Sequence, residues 1–166
     1  EWYKDIWQQK AGCGATVASS IISYYNQIDS FKEIGISDAL KIMEELWFYL
    51  LPTEQGLNSI KLFYDGIKNY YNAKEVTIDY INVDIKDKPS LNKIIEFIEK
   101  ELLEDRPIAF LNLCNGEENN LDKWHWVLVV EIFKENEEYF LNIIDDKELM
   151  KINLSLWYRT ITNDGG

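Results

Sequence analysis

Few side chains in this protein can do covalent chemistry, and their spacing suggests one reaction. Cys13 lies in QQKAGCGATVASS, residues 8–20, bracketed by Gly12 and Gly14 where a polar stretch becomes helix-like. The pattern predicts a helix starting at Cys13. The first N–H groups of a helix are unpaired, and the helix dipole places partial positive charge there. A thiolate at that point is stabilised, so the thiol ionises more readily. Gly12 is expected to let the chain turn in without steric penalty, and Gly14 to leave room for a substrate backbone. Gln8 and Gln9, just upstream, carry amides that could donate to a developing oxyanion together with the Cys13 N–H. The plainer reading of Cys13 is a small buried residue in a glycine-containing turn.

His125 is the only histidine. It sits in WHWVLVVEI, residues 124–132, an apolar run that reads as a strand buried on both faces. Strand alternation puts His125, Val127 and Val129 on one face and Trp124, Trp126 and Leu128 on the other. An imidazole in such a run needs partners. It is either a core histidine bonded to a carbonyl or a base at a cleft edge. A base also needs an orienting group on its other nitrogen. The following run, EYFLNII, leads into Asp145 and Asp146. In a hairpin turning at KENE, Asp145 returns to the neighbourhood of His125, while Asp146 points to the opposite face. Asn142 is a further candidate, and the plain reading of the two aspartates is an acidic turn.

These side chains must be held by elements, and the periodicity supplies them. A first helix is expected over about residues 13–27, with Val17, Ala18, Ile21, Ile22, Tyr24, Tyr25 and Ile28 apolar. A second, capped by Ser37, presents Leu40, Met43, Leu46, Trp47 and Leu50 and ends before Pro52. A third runs over about 58–71 with Ile60, Phe63, Ile67 and Tyr70 inward. VTIDYINV, residues 76–83, alternates like a strand. Ser90 caps a fourth helix with Leu91, Ile94, Ile95, Ile98 and Leu102 inward. Strand-like runs follow over 107–113, 124–132, 138–144 and 148–153. Helices early and a mostly antiparallel sheet late make an α+β arrangement. It is read as a single domain over 1–166, with a helical lobe over about 1–72 and a sheet lobe over about 73–166.

A helix-start cysteine, then a histidine on an apolar strand, then an acid ending the next strand resembles the papain-like cysteine peptidases. Within them the chain is more similar to the bacterial branch related to the peptidases that trim double-glycine leader peptides. The resemblance rests on Gln8, the Cys13-Gly14 pair, His125 and Asp145. Many relatives carry proline after Cys-Gly, where this chain has Ala15, and proline or glycine after the acid, where it has Asp146. The resemblance implies a papain-like fold and a Cys13-His125-Asp145 triad with Gln8, or else Gln9, as oxyanion donor. It implies a peptide or protein substrate and no cofactor. Rival expectations are a silent domain that binds peptides, an acyl-transferring enzyme using the same residues, and a protein in which both groups are inert.

Composition narrows the partners. The chain has 166 residues, 46% hydrophobic and 14% aromatic, which is a globular composition. The net charge of -12 lacks the basic footprint that phosphate backbones or anionic membrane surfaces require, so nucleic acid is not expected as a partner. No run of 18 apolar residues is present, so no membrane insertion is expected. The cysteines, Cys13 and Cys114, permit one disulfide but do not form a disulfide framework, and metal-ligand spacings are lacking. Both a cytoplasmic location and a secreted or cell-surface one, with an export signal removed, fit these features. The tryptophans at 124 and 126 and the segment WYKDIW are read as core or as groove lining. The loop over 114–123 is read as solvated or as a cover for the cleft.

Overall fold

The computed structural model describes residues 3–145, 147–162 and 165. Among these the chain is α+β, with six α-helices and one four-stranded antiparallel sheet. It divides into two compact units, Glu1–Tyr80 and Ile81–Gly166.

The first unit is helical. Helix α1 spans Ile6–Ala11, α2 Cys13–Ser30, α3 Ile36–Trp47 and α4 Ile60–Asn72. Asp5 caps α1 by accepting from the N–H groups of Trp7 and Gln8, and Ser59 caps α4 by accepting from Leu62 N–H. The expected cap at Ser37 is corrected: α3 starts at Ile36, so Ser37 lies within its first turn, and Gly35 precedes it without a side-chain cap. Leu46 and Leu50 are almost fully buried, as are Ala15, Ala18 and Ile22. Tyr24 and Ile28, counted above with the apolar face of the first helix, are exposed. Gly66 on α4 has a packing reason, since a Cβ there would lie 2.4 Å from a Leu50 methyl carbon.

The segment 76–83 is not a strand. The sheet runs β1-β2-β3-β4 and gives it no ladder partner, so alternation alone did not make a strand.

The second unit is a helix-covered sheet. Helix α5 spans Leu91–Leu103 and is capped by Ser90, whose hydroxyl accepts from Lys93 N–H. Strand β1 is Ile108–Asn112, β2 His125–Glu135, β3 Glu138–Asp145 and β4 Glu148–Asn153, and α6 is Leu154–Thr160. Strands β2 and β3 form the expected hairpin, with Glu135 opposite Glu138. Asn136 and Glu137 both have positive φ, 48° and 67°, which suits a two-residue turn matching strand twist. One sheet face carries Phe110, Val127, Val129, Leu141, Ile143 and Ile152. It packs with Ile94, Ile95 and Ile98 of α5 and Trp157 of α6 in one core. Glu101 near the end of α5 is buried and accepts from Arg106 Nε at 2.5 Å, which ties the helix to the start of β1. Among the described residues no helix is long and apolar enough to cross a membrane.

Candidate active site

The candidate residues fall into two groups, one in each unit. In the second unit, β2 begins at His125, opposite Asn112 of β1. The register Leu128↔Ile144 places Asp145 across from Val127, on the same face as His125 and diagonal to it. Diagonal pairs are within reach of an imidazole and a carboxylate, and here they meet: His125 Nε2 lies 2.8 Å from Asp145 Oδ1. Both side chains are mostly shielded, 22% and 19% exposed. A carboxylate acceptor at this distance matches the neutral tautomer that carries its proton on Nε2. In that tautomer the ring's lone pair is on Nδ1.

Asn142 does not share this role. It faces the other side of the sheet, where Nδ2 donates to Glu131 Oε2 at 2.5 Å. Asp146 lies outside the described residues.

In the first unit, Cys13 is the first residue of α2, an 18-residue helix, and is partly exposed. The Thr16 N–H and hydroxyl both donate to the Gly12 carbonyl, at 2.9 and 3.0 Å, closing the first turn. The role expected for Gly12 is corrected. Its φ of -86° is ordinary, so its glycine serves space rather than turning. A Cβ there would fall 2.4 Å from the Gln8 carbonyl oxygen and from a Tyr3 ring carbon. Helix α1, which carries both glutamines, therefore runs hard against the helix-start turn.

Gln8 and Gln9 now differ. The Gln9 amide donates to the Tyr3 carbonyl at 2.7 Å, whereas Gln8 is the partly buried one of the two. That leaves Gln8 as the candidate whose amide is not committed to the Tyr3 carbonyl. Tyr3, within the WYKDIW segment read above as core or groove lining, is a neighbour of this turn. Its phenol is held neutral, its pKa pushed up to about 12 mainly by burial, opposed by the Thr16 hydroxyl and raised further by Cys13 and Glu44. Tyr3 belongs to the core, its ring 5.7 Å from that of Trp47. Trp7 is exposed, Trp126 is buried and Trp124 is exposed at φ +58°. Trp2 lies outside the described residues.

The second thiol is perturbed as well. Cys114 follows β1 in the second unit, and its pKa is lowered chiefly by the Gly116 and Thr162 backbone N–H groups, against the effect of burial. The loop it opens is pinned. Glu118 is buried, and its carboxylate accepts from Asn120 N–H at 2.9 Å and Asn153 N–H at 2.7 Å. The Glu117 N–H donates to Thr160 Oγ1 at 3.0 Å. This loop is therefore fastened to the end of β4 and to α6 rather than simply solvated.

Among the described residues, no group of three or more His, Cys, Asp or Glu side chains is placed to hold a metal ion. The carboxylate–imidazole pair thus stands in the second unit, and the helix-start thiol and its glutamine in the first. No family model, curated protein or solved structure matches this chain.

Proposed function

We propose that the protein is a cysteine-dependent peptidase or amide hydrolase of papain-like architecture. The observation that carries this reading is the 2.8 Å pair between His125 Nε2 and Asp145 Oδ1, made by the only histidine in the chain. A helix-start cysteine with a neighbouring glutamine amide supplies the other half of the chemistry. In the reaction, His125 Nδ1 takes the proton of Cys13, and the thiolate attacks a carbonyl carbon. The Gln8 amide and the Cys13 N–H hold the oxyanion. His125 protonates the leaving amine as the C–N bond breaks, leaving a thioester. Water, deprotonated by His125, then attacks the thioester, and the acid leaves as the thiol is restored. Asp145 keeps the imidazole in one tautomer and orientation throughout.

The test is thiol alkylation by iodoacetamide from pH 5 to 9. It uses a Cys114→Ser background because the Cys114 thiol is also held below the usual thiol range. Cys13 is expected to stay reactive well below the ordinary thiol range, and His125→Ala to abolish that low-pH reactivity. A Cys13 rate that follows an ordinary thiol titration and ignores His125→Ala overturns the reading. Peptide turnover then sorts the rivals. Fast alkylation without cleavage marks a silent binding domain, and capture of an added amine in the product marks acyl transfer.

A further inference from the structure

A second buried amide lies beside the imidazole. Asn112 ends β1 directly opposite His125 and has no exposed surface. It is the one polar member of a row of apolar residues, after Ile108 and Phe110 on the same face of the strand. Both ends of its amide are used. Oδ1 accepts from Trp157 Nε1 at 2.9 Å, and Nδ2 donates to the Asp122 carbonyl at 2.6 Å. Trp157 is buried on α6, its ring edge-on to Phe110 with centroids 4.9 Å apart.

Asp122 is three residues before His125. The segment between them must turn sharply into β2, with Trp124 held at φ +58°, a conformation a bulky residue adopts only when its surroundings impose it. Two anchors hold the start of that turn: the Leu121 side chain in the core and the Asp122 carbonyl on Asn112. The backbone that emerges carries the imidazole.

We propose that Asn112 is a positioning residue for His125: clamped by Trp157, its amide grips the Asp122 carbonyl and fixes the turn that presents the imidazole to Asp145. This rests on the reading of His125 as the base. Carboxylate and amide then divide the work. Asp145 sets the tautomer of the ring, and Asn112 sets where the strand carrying the ring begins.

Because the chain has a single histidine, labelling histidine with 15N gives the imidazole signals of His125 alone. The wild-type ring is expected to show one signal set with the proton on Nε2 at pH 8. Asn112→Leu, which keeps the branched shape and the number of side-chain heavy atoms but removes both hydrogen bonds, is expected to give mixed tautomers or a second signal set. It should lower kcat about 10- to 100-fold with KM little changed, as misplacement of a catalytic group does. Trp157→Phe removes the indole N–H along with part of the ring system while keeping an aromatic ring in place, and is expected to shift the same signals to a smaller extent. A folded Asn112→Leu protein with wild-type His125 signals overturns the proposal. Should Asn112→Leu fail to fold, Trp157→Phe decides, and unaltered His125 signals there overturn it. If the wild-type protein cleaves no peptide, the peptidase reading falls, while the His125 signals still decide the part played by Asn112.

Discussion

Asp145 is the residue whose chemistry is most sharply constrained. It accepts from His125 and is mostly shielded, so on the proposed reading its task is orientation. An amide oxygen at the same place can still accept from Nε2–H, whereas a methyl group cannot. Asp145→Asn is therefore expected to keep most of the kcat/KM for peptide cleavage, and Asp145→Ala to lose about 10²-fold, within the range for a general base no longer held in place. Wild-type activity in Asp145→Ala would show that the pair is structural only. The glutamines allow a paired prediction. Gln8→Ala is expected to lower kcat about 10²- to 10³-fold, the usual loss for one oxyanion donor. Gln9→Ala should leave kcat unchanged, because its amide is already committed to the Tyr3 carbonyl. Reversed effects in the kinetics would move the donor to Gln9. At this scale the sequence was informative where residue type is scarce. One histidine leaves one imidazole, and a hairpin folded at Asn136-Glu137 returns Asp145 to it. Tyr3 and Asn112 could not be read that way. Their significance comes from tertiary neighbours, a thiol in one case and an indole N–H in the other, which no local pattern encodes.

The elements were legible in proportion to their length and to the strength of their period. The four longer helices and all four strands follow from apolar spacing, because each buries a stripe or face whose period matches its geometry. Helices α1 and α6, of six and seven residues, are too short to display a period. Asp5 and Asn153 cap them, and those caps were the available signals. The opposite failure is the segment 76–83, whose alternation is genuine but finds no neighbouring strand. The junction of α1 and α2 carries the element-scale prediction. Glycine at position 12 is required by the contact between the two helices, not by backbone conformation. Gly12→Ala is expected to push α1 and Tyr3 away and to destabilise the fold by about 1–3 kcal/mol, as overpacking does. Gln8 moves with α1, so kcat should fall further than the loss of folded protein explains. Urea unfolding together with active-site titration separates the two effects. An unaltered urea midpoint and unaltered kcat would show that the junction yields freely.

For the molecule as a whole, the dominant physical property is charge. Twenty-nine acidic residues against seventeen basic ones give -12, and no local pairing removes that excess. A net field of this sign concentrates cationic ligands near the surface and repels anionic ones, and it changes encounter rates rather than the bond-making steps. Screening at about 0.15 M salt confines exposed charges to a range of roughly 8 Å, so the effect must fade as salt is added. If the protein cleaves peptides, kcat/KM for a lysine-rich peptide is expected to fall steadily from about 0.01 to 0.5 M salt as the Debye length shrinks. An otherwise matched glutamate-rich peptide should show a flat or rising kcat/KM over the same range. The kcat for each should be insensitive to salt, because the charges act before the substrate is bound. Equal salt slopes for the two peptides would mean that the groove is shielded from the molecular field and that selectivity comes from contacts within it.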